Sequence, residues 1–272
     1  MKGAKAPFFI GLYFYMKLQN RWYFAVRWAL RHAFVSLAVG LISAVLVFQW
    51  WYPMPYRQML GVGNIFILVL IVDIVCGPLM TLVLASPSKS KREMVLDLSL
   101  IGIIQAIALI YGIHAVWIGR PAVLAFENDR LIVISANEIE HSDLIQAPEG
   151  LRVLPFSGVL KVTSRKPKDN AEFLRSIDLS LAGLSPAMRP ARWEPIENQH
   201  HQMRTKAKPL AELIARRSNK SAELNIAASH AGYKVEALTY LPLTSSKTRE
   251  WVALLNPSMD MVGYAPVDGF DE

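Results

Sequence analysis

Three long apolar stretches set the pattern of the first half of the chain. Between Arg31 and Arg57 lie twenty-five residues without Asp, Glu, Lys or Arg, apolar throughout 33–51. Residues 65–85 contain one charge, Asp73, and residues 98–119 contain none. Each run reaches the ~20 residues that a helix needs to cross ~30 Å of hydrocarbon. The pattern therefore predicts three transmembrane helices, at about 33–52, 64–85 and 98–118. The first ends in Trp50-Trp51-Tyr52-Pro53, an interfacial aromatic group followed by a helix breaker. A cleavable signal peptide is disfavoured, because the apolar run is too long and bulky rings stand where small cleavage-site residues belong. Residues 8–28 are rich in aromatics but interrupted by Lys17, Arg21 and Arg27. A fourth crossing would bury those charges, so an amphipathic helix on the membrane surface is expected for the segment 1–31, with a disordered basic tail as the alternative.

Beyond residue 119 the pattern changes to short alternating runs. Residues 122–126 and 130–135, joined through Glu127-Asn128-Asp129, read as a hairpin, and a strand follows near 158–164. Helices are expected over 170–181 with Asp169 as the cap, over 209–217, and over 222–231 ending at Gly232. Residues 184–195 hold three prolines and read as a loop. Strands return at 234–241, 250–256 and 261–267, the last two joined by a turn at Asn256-Pro257-Ser258-Met259-Asp260. The fold class expected is a membrane protein with a three-helix transmembrane bundle over 32–119. A small α+β extracytoplasmic domain over 120–272 follows, its helices on one face of an antiparallel sheet.

Charge adds orientation to this picture. Residues 1–119 carry ten Lys/Arg against three Asp/Glu, whereas 120–272 carry nineteen of each. The basic excess therefore belongs to the membrane half, and the balanced C-terminal domain offers no nucleic-acid surface. Lys2, Lys5, Lys17, Arg21, Arg27 and Arg31 precede the first span, and Lys89, Lys91 and Arg92 lie between the second and third. Arg57, Arg120 and Arg130 flank the opposite side, so the N-terminus is expected in the cytoplasm and the C-terminal domain in the periplasm of a bacterial inner membrane. The single cysteine, Cys76, excludes an intrachain disulfide and any CxxC motif.

Each span carries small residues at helical spacing: Ser36, Gly40 and Ala44; Asp73, Gly77, Thr81 and Ala85; Gly102, Ala106, Leu109 and Gly112. Such stripes let helices approach, either within a self-contained bundle or against a foreign helix. Asp73 stands ~18 Å from the cytoplasmic edge at 1.5 Å per residue, with Gln105 ~12 Å and Tyr111 ~21 Å deep on the third helix. Either could hydrogen-bond the carboxyl, which is then a structural pin or a ligand-facing group. Pro78 frees the carbonyl of Ile74 and is expected to kink the helix there. An intramembrane aspartyl protease would need a second carboxylate beside Asp73, but Asp97 lies ~18 Å away in depth. A transporter is unsupported by any repeat or relay. The His200-His201 pair lacks metal-ligand spacing, and no GxSxG, HExxH, P-loop or GxGxxG occurs. No catalytic residue, cofactor or metal is expected, which disfavours an envelope enzyme. A short tail and loop leave no cytoplasmic output module for an extracytoplasmic sensor.

Several of these elements together resemble the type IV pilin accessory protein family of the TfpX/TfpZ type. They are Trp51-Tyr52-Pro53-Met54-Pro55, the run from Asp73 through Gly77-Pro78-Leu79 to Thr81, Asp97-Leu98, Gln105, Tyr111-Gly112, Gly119-Arg120-Pro121 with Phe126, and the ending from Trp251 to Asn256 with Gly263 and Pro266. The likeness is firm over about 30–140 and looser through the middle of the C-terminal domain, and the N-terminal extension of about thirty residues departs from it. The resemblance implies an inner-membrane chaperone that binds the type IV major pilin before assembly, through the pilin's membrane helix and its globular head. Membrane lipids are the other expected partner. The candidate contact with the pilin helix is then Asp73, Gly77, Pro78, Thr81, Gln105 and Tyr111, where unpaired polar groups of the pilin would be satisfied.

Overall fold

The structure, a computed structural model, describes residues 6–271. Lys2 and Lys5, two of the basic residues used for orientation, lie outside the described residues. The chain divides into two compact units, one built from the residues up to Val47 with Gly63–Val116, the other from Phe48–Val62 with Trp117–Glu272.

The first unit is helical. Helix α1 runs Ala6–Val45 and passes into a π-helical turn, Leu46–Trp51; a single turn, α2 (Tyr56–Met59), belongs to the other unit. Helices α3 (Val62–Leu84) and α4 (Lys91–Ile118) follow. Three helices, over Gln19–Trp51, Val62–Leu84 and Lys91–Ile118, are long and apolar enough to cross a membrane. The surface segment and first span expected as separate elements form one unbroken helix, because no Gly, Pro or cap interrupts residues 19–39. Helix α4 starts about two turns before its apolar run, at Lys91. Ser90 and Glu93 cap it reciprocally, with the Ser90 N–H donating to Glu93 Oε2 at 2.9 Å and the Glu93 N–H to Ser90 Oγ at 3.2 Å.

On α1 and α3 small and polar residues are prominent among the buried positions, and many large aliphatic side chains of the three helices are exposed. Ala25, Ser36, Gly40 and Ser43 are buried on α1 and Val47 in the turn that follows it, and Phe66, Asp73, Gly77, Thr81 and Ala85 on or at the end of α3. The first set steps by eleven, four, three and four and the second by seven, four, four and four, the spacing of one helix face. Phe34, Ile42, Leu68, Val83, Ile107 and Ile110 point outward.

The second unit is built on one sheet. Its strands are β1 (Pro121–Glu127), β2 (Arg130–Ser135), β3 (Leu160–Ser164), β4 (Trp193–Pro195), β5 (Lys208–Pro209), β6 (Thr239–Ser245), β7 (Trp251–Leu255) and β8 (Met261–Ala265). They lie in the order β4-β3-β1-β2-β6-β7-β8, with β5 beside β6. The β1/β2 hairpin and the β7/β8 turn occur where the sequence places them, the latter closed by Asn256, whose carbonyl oxygen Oδ1 accepts from Ser258 N and Asp260 N at 2.9 Å. The sheet is mixed rather than antiparallel, since β3 runs parallel to β1 and β6 parallel to β2. Helices α5 (Asn170–Leu181), α6 (His200–Lys206), α7 (Leu210–Arg216) and α8 (Ser221–His230) complete the unit.

Both sheet faces are covered, not one. Alternate residues Leu124, Phe126, Leu131, Val133, Leu241, Leu243, Ala253 and Leu255 form one face, covered by Met203 of α6 and by Tyr56 and Met59 of the connector between α1 and α3. The intervening residues form the other face. Val123, Ala125, Ile134 and Val162 pack under Ile139, Ala147, Ala187 and Trp193 at one end. Tyr240, Val252, Leu254 and Ala265 pack under α7 and α8 at the other. The connector is fastened by its backbone as well, with Ser157 Oγ donating to the Trp50 carbonyl at 2.6 Å and Ser245 Oγ to that of Met59 at 3.2 Å.

Helix α5 packs in an unusual sense. Asp169 caps it by accepting from Glu172 N at 2.7 Å, and its inward side is polar. Glu172 accepts from Arg165 Nη1 and Nη2 at 2.9 and 2.7 Å, and Ser176 Oγ from Arg189 Nη2 at 2.7 Å. Phe173, Leu174, Ile177 and Leu181 face outward.

Two expectations follow. Met59→Ala removes a side chain only 1% exposed, so it should cost about 2–5 kcal/mol in denaturant unfolding of the detergent-solubilised chain, as a sheet residue would. A change within about 0.5 kcal/mol, the range of ordinary surface substitutions, would remove the connector from the core. Hydrogen bonds from the Arg165 side chain and the Lys168 N–H hold the Glu172 carboxyl down at about 2, against an ordinary 4.5. A depressed carboxyl stabilises the fold fully above its unfolded value and stops doing so as pH falls through its folded value. The acid-side loss of stability between pH 4.5 and about 2 should therefore shrink in Glu172→Gln, measured by thermal unfolding across that window.

Candidate functional site

Within the helical unit, Asp73, Gly77 and Gln105 of the six sequence-selected residues meet, with Pro78 beside them and Thr81 one turn beyond Gly77 on the same face of α3. The α3 face carries Asp73, Gly77 and Thr81 at intervals of four, and all three are buried. Gln105 of α4 reaches this face: its Nε2 donates to the Asp73 carbonyl at 2.7 Å and to Asp73 Oδ1 at 3.1 Å. Its own Oε1 is buried without a partner. Gly77 is what allows the approach, because a Cβ there would stand 2.3 Å from the Gln105 amide. Gly112 does the same further along α4, where a Cβ would meet Val69 Cγ1 at 2.8 Å.

Pro78 sits inside α3 directly after Gly77, so the Ile74 carbonyl has no helical donor. The polar group thus occupies the turn where the backbone ladder is already interrupted. Thr81 is fully buried and shares a 2.6 Å hydrogen bond with His32 Nδ1 of α1. His32 was not among the expected residues. Its signal was available, as the one histidine within the run 32–56 that lacks Asp, Glu, Lys and Arg. Tyr111 does not join this group. It is 75% exposed, and its hydroxyl is not the partner of Asp73. Gly102 and Ala106 are also exposed, with open space beside Gly102.

In the sheet unit a second cluster gathers the aromatic ending of the first apolar run. Trp51 lies 4.8 Å from Trp117, and Trp117 lies 5.3 Å from Phe156, centroid to centroid. The buried Arg120 guanidinium sits 3.5 Å above Trp117, donating to the Trp117 carbonyl at 3.0 Å and through Nη2 to that of Pro155 at 3.2 Å. Burial pushes the Arg120 guanidinium down. The cluster is a structural clasp with no free nucleophile or paired acid. Among the described residues, no three His, Cys, Asp or Glu side chains are grouped to hold a metal ion.

The contrast between two glycines tests this arrangement. Gly77→Ala must displace the Gln105 amide and should cost about 1–3 kcal/mol of helix-unit stability, the usual range for overpacking. Gly102→Ala, with nothing within 4 Å, should be neutral or stabilising by about 1 kcal/mol through helix propensity. Thermal melts of the two variants in one detergent measure the difference, and equal behaviour would contradict the contact.

Comparison with known proteins bears on all three helices and the sheet together. The family model described as "Fimbrial assembly protein FimB" matches residues 20–61. The "Fimbrial assembly protein, serogroup I" of Dichelobacter nodosus is 32% identical over 254 residues, covering 93% of this chain and 99% of that protein. The serogroup E1 protein of the same organism is 31% identical with the same coverage. The protein of serogroups C1 and C2 is 37% identical over 129 residues, which are 47% of this chain and 98% of that protein. No solved structure matches significantly. With two relatives above 30% identity aligned over 93% of its length, the chain belongs to the fimbrial assembly protein family.

Proposed function

We propose that this protein is a multi-pass accessory protein of a bacterial inner membrane that binds type IV major pilin and stabilises it before assembly. The observation that carries the reading is the full-length likeness to relatives named as fimbrial assembly proteins. The inverted polarity of the helical unit supports insertion, because an apolar exterior over three sufficiently long helices suits hydrocarbon and not water. The positions of the basic residues support a cytoplasmic N-terminus and a periplasmic sheet domain.

In this reading the partner is the apolar helix of a waiting pilin, together with its globular head. Asp73, Gly77, Pro78, Thr81 and Gln105 set the shape of the bundle from inside, and Tyr111 lies on the outer surface that a pilin helix would touch. Among the described residues of the helical unit, Gln105 Oε1 is a buried side-chain acceptor without a partner, which a rearranged or incoming donor would satisfy. The chain acts by binding and not by bond chemistry.

Crosslinking this protein in its native membranes and identifying co-purified chains by mass spectrometry should recover a major pilin. Recovery should fall when the second span is scrambled. Asp73→Asn and Gln105→Leu should lower pilin levels and piliation several-fold while the protein still accumulates. No pilin captured from cells that express one would overturn the reading, and unchanged piliation in both variants would remove the polar group from it.

A further inference from the structure

Beneath helix α5, on the side that it presents to the sheet domain, lies a groove of about 720 Å³. Its volume is within the range of small-ligand and peptide sites. The lining carries five cationic and four anionic side chains, one positive charge in excess. Two of the cations are buried guanidiniums, Arg189 at 7% and Arg192 at 5% exposure.

The four acids of the lining are already engaged. Glu172 receives both Arg165 amino groups, and Asp169 caps α5. Glu140 Oε1 accepts from Ser142 Oγ at 2.6 Å, and Asp143 Oδ1 from Gln146 Nε2 at 3.4 Å. Arg192 is satisfied by the Arg165 carbonyl, at 3.2 Å from Nε and 2.5 Å from Nη2. Arg189 differs. Among the described residues its side chain gives one hydrogen bond, from Nη2 to Ser176 Oγ, and its buried Nε has no partner. Asp143, Glu172 and Glu127 act on it through space, yet none forms an ion pair with it among the described residues. A buried guanidinium left this way is costly unless something completes its donors.

We propose that the groove is a binding site for a carboxylate carried on an extended polypeptide segment, with Arg189 as its anchor. The edge of a guanidinium matches a carboxylate in a two-point contact. The acids of the lining oppose a dianion such as phosphate, while the single excess charge fits a monoanion. The groove far exceeds one carboxylate in size, and its mixture of donors and acceptors, including Ser142, Gln146 and Lys168, suits a peptide backbone. The carboxylate is an acidic side chain or a chain terminus. This assignment stands apart from the pilus role and does not depend on it.

The test uses the full chain in detergent and three octapeptides carrying an uncharged fluorophore, read by anisotropy. One is blocked at both ends with a central aspartate, one carries asparagine there, and one has asparagine with a free C-terminal carboxylate. At least one carboxylate peptide should bind tenfold or more tightly than the neutral one, and which one identifies the source. Arg189→Met should abolish that preference without changing the circular dichroism, and Arg189→Lys should not restore it. Asp143→Asn, which removes a lining charge without touching the anchor, should tighten binding about threefold. This variant decides the matter alone where Arg189→Met fails to fold. Equal binding of the three peptides, no response to Asp143→Asn, or competition by inorganic phosphate at lower concentration than by acetate would overturn the proposal.

Discussion

The structure depends on a burial that sequence order disguises: the connector Phe48–Val62 is part of the core of a domain whose remaining residues begin at Trp117. Met59 and Tyr56 sit against Leu124, Leu131 and Leu243, on strands that are at least sixty residues away in the chain. Burial and the nearby Tyr264 push the Tyr56 hydroxyl up to about 12, which marks how completely that ring leaves water. The sheet face cannot be closed by the C-terminal sequence alone. The chain between α1 and α3 is consequently no free loop, and the clasp of Trp51, Trp117, Phe156 and Arg120 holds its beginning as Met59 holds its end.

The two units solve opposite solvation problems with one chain. In the sheet unit, apolar residues go inward on both faces, and the exception is α5, whose polar side is drawn in by Arg165, Arg189 and Arg192. In the helical unit the rule is reversed, with Ser36, Ser43, Asp73 and Thr81 buried and aliphatic side chains outside. Without water inside, those polar groups must find one another. Gln105 answers Asp73 and His32 answers Thr81, so the three helices are tied pairwise through α3.

Local signals were legible and nonlocal ones were not. The Asn256 turn, the Asp169 cap and the β1/β2 hairpin are encoded within a few residues, and they lie where the pattern places them. Strand β6 is different. The expected strand at 234–241 begins later, at Thr239, because Val235–Ala237 form a 3-10 turn, and it runs on to Ser245. Pro242 is accommodated inside it, between the two residues paired with β5 and the three paired with β2. Helix α6 has a single fully buried apolar side chain, Met203, and so little amphipathic signal. Parallel pairing of β1 with β3 leaves no mark in either strand. The candidate site divides in the same way. A ruler of 1.5 Å per residue places Gln105 at a depth where it can reach Asp73, but depth does not fix direction. Tyr111 lies six residues beyond Gln105, about 240° around the helix, and it points elsewhere.

That rotation also links the buried pair to the outer surface. Interhelical hydrogen bonds of this kind contribute about 0.6 kcal/mol on average in membranes, too little for the Asp73–Gln105 contact to be the main source of stability. Its effect is on register. With the Gln105 amide bound to both the backbone and the side chain of Asp73, and with Gly77 admitting no substitute for that close approach, α4 has one rotation and one height against α3. The direction of every outward residue on α4 follows from it. Gly102 and Ala106 line an open strip, and Tyr111 stands exposed above it. The outward surface of α4 is therefore one that the interior has already set, and substitutions at Asp73 or Gln105 reach it through the rotation of α4.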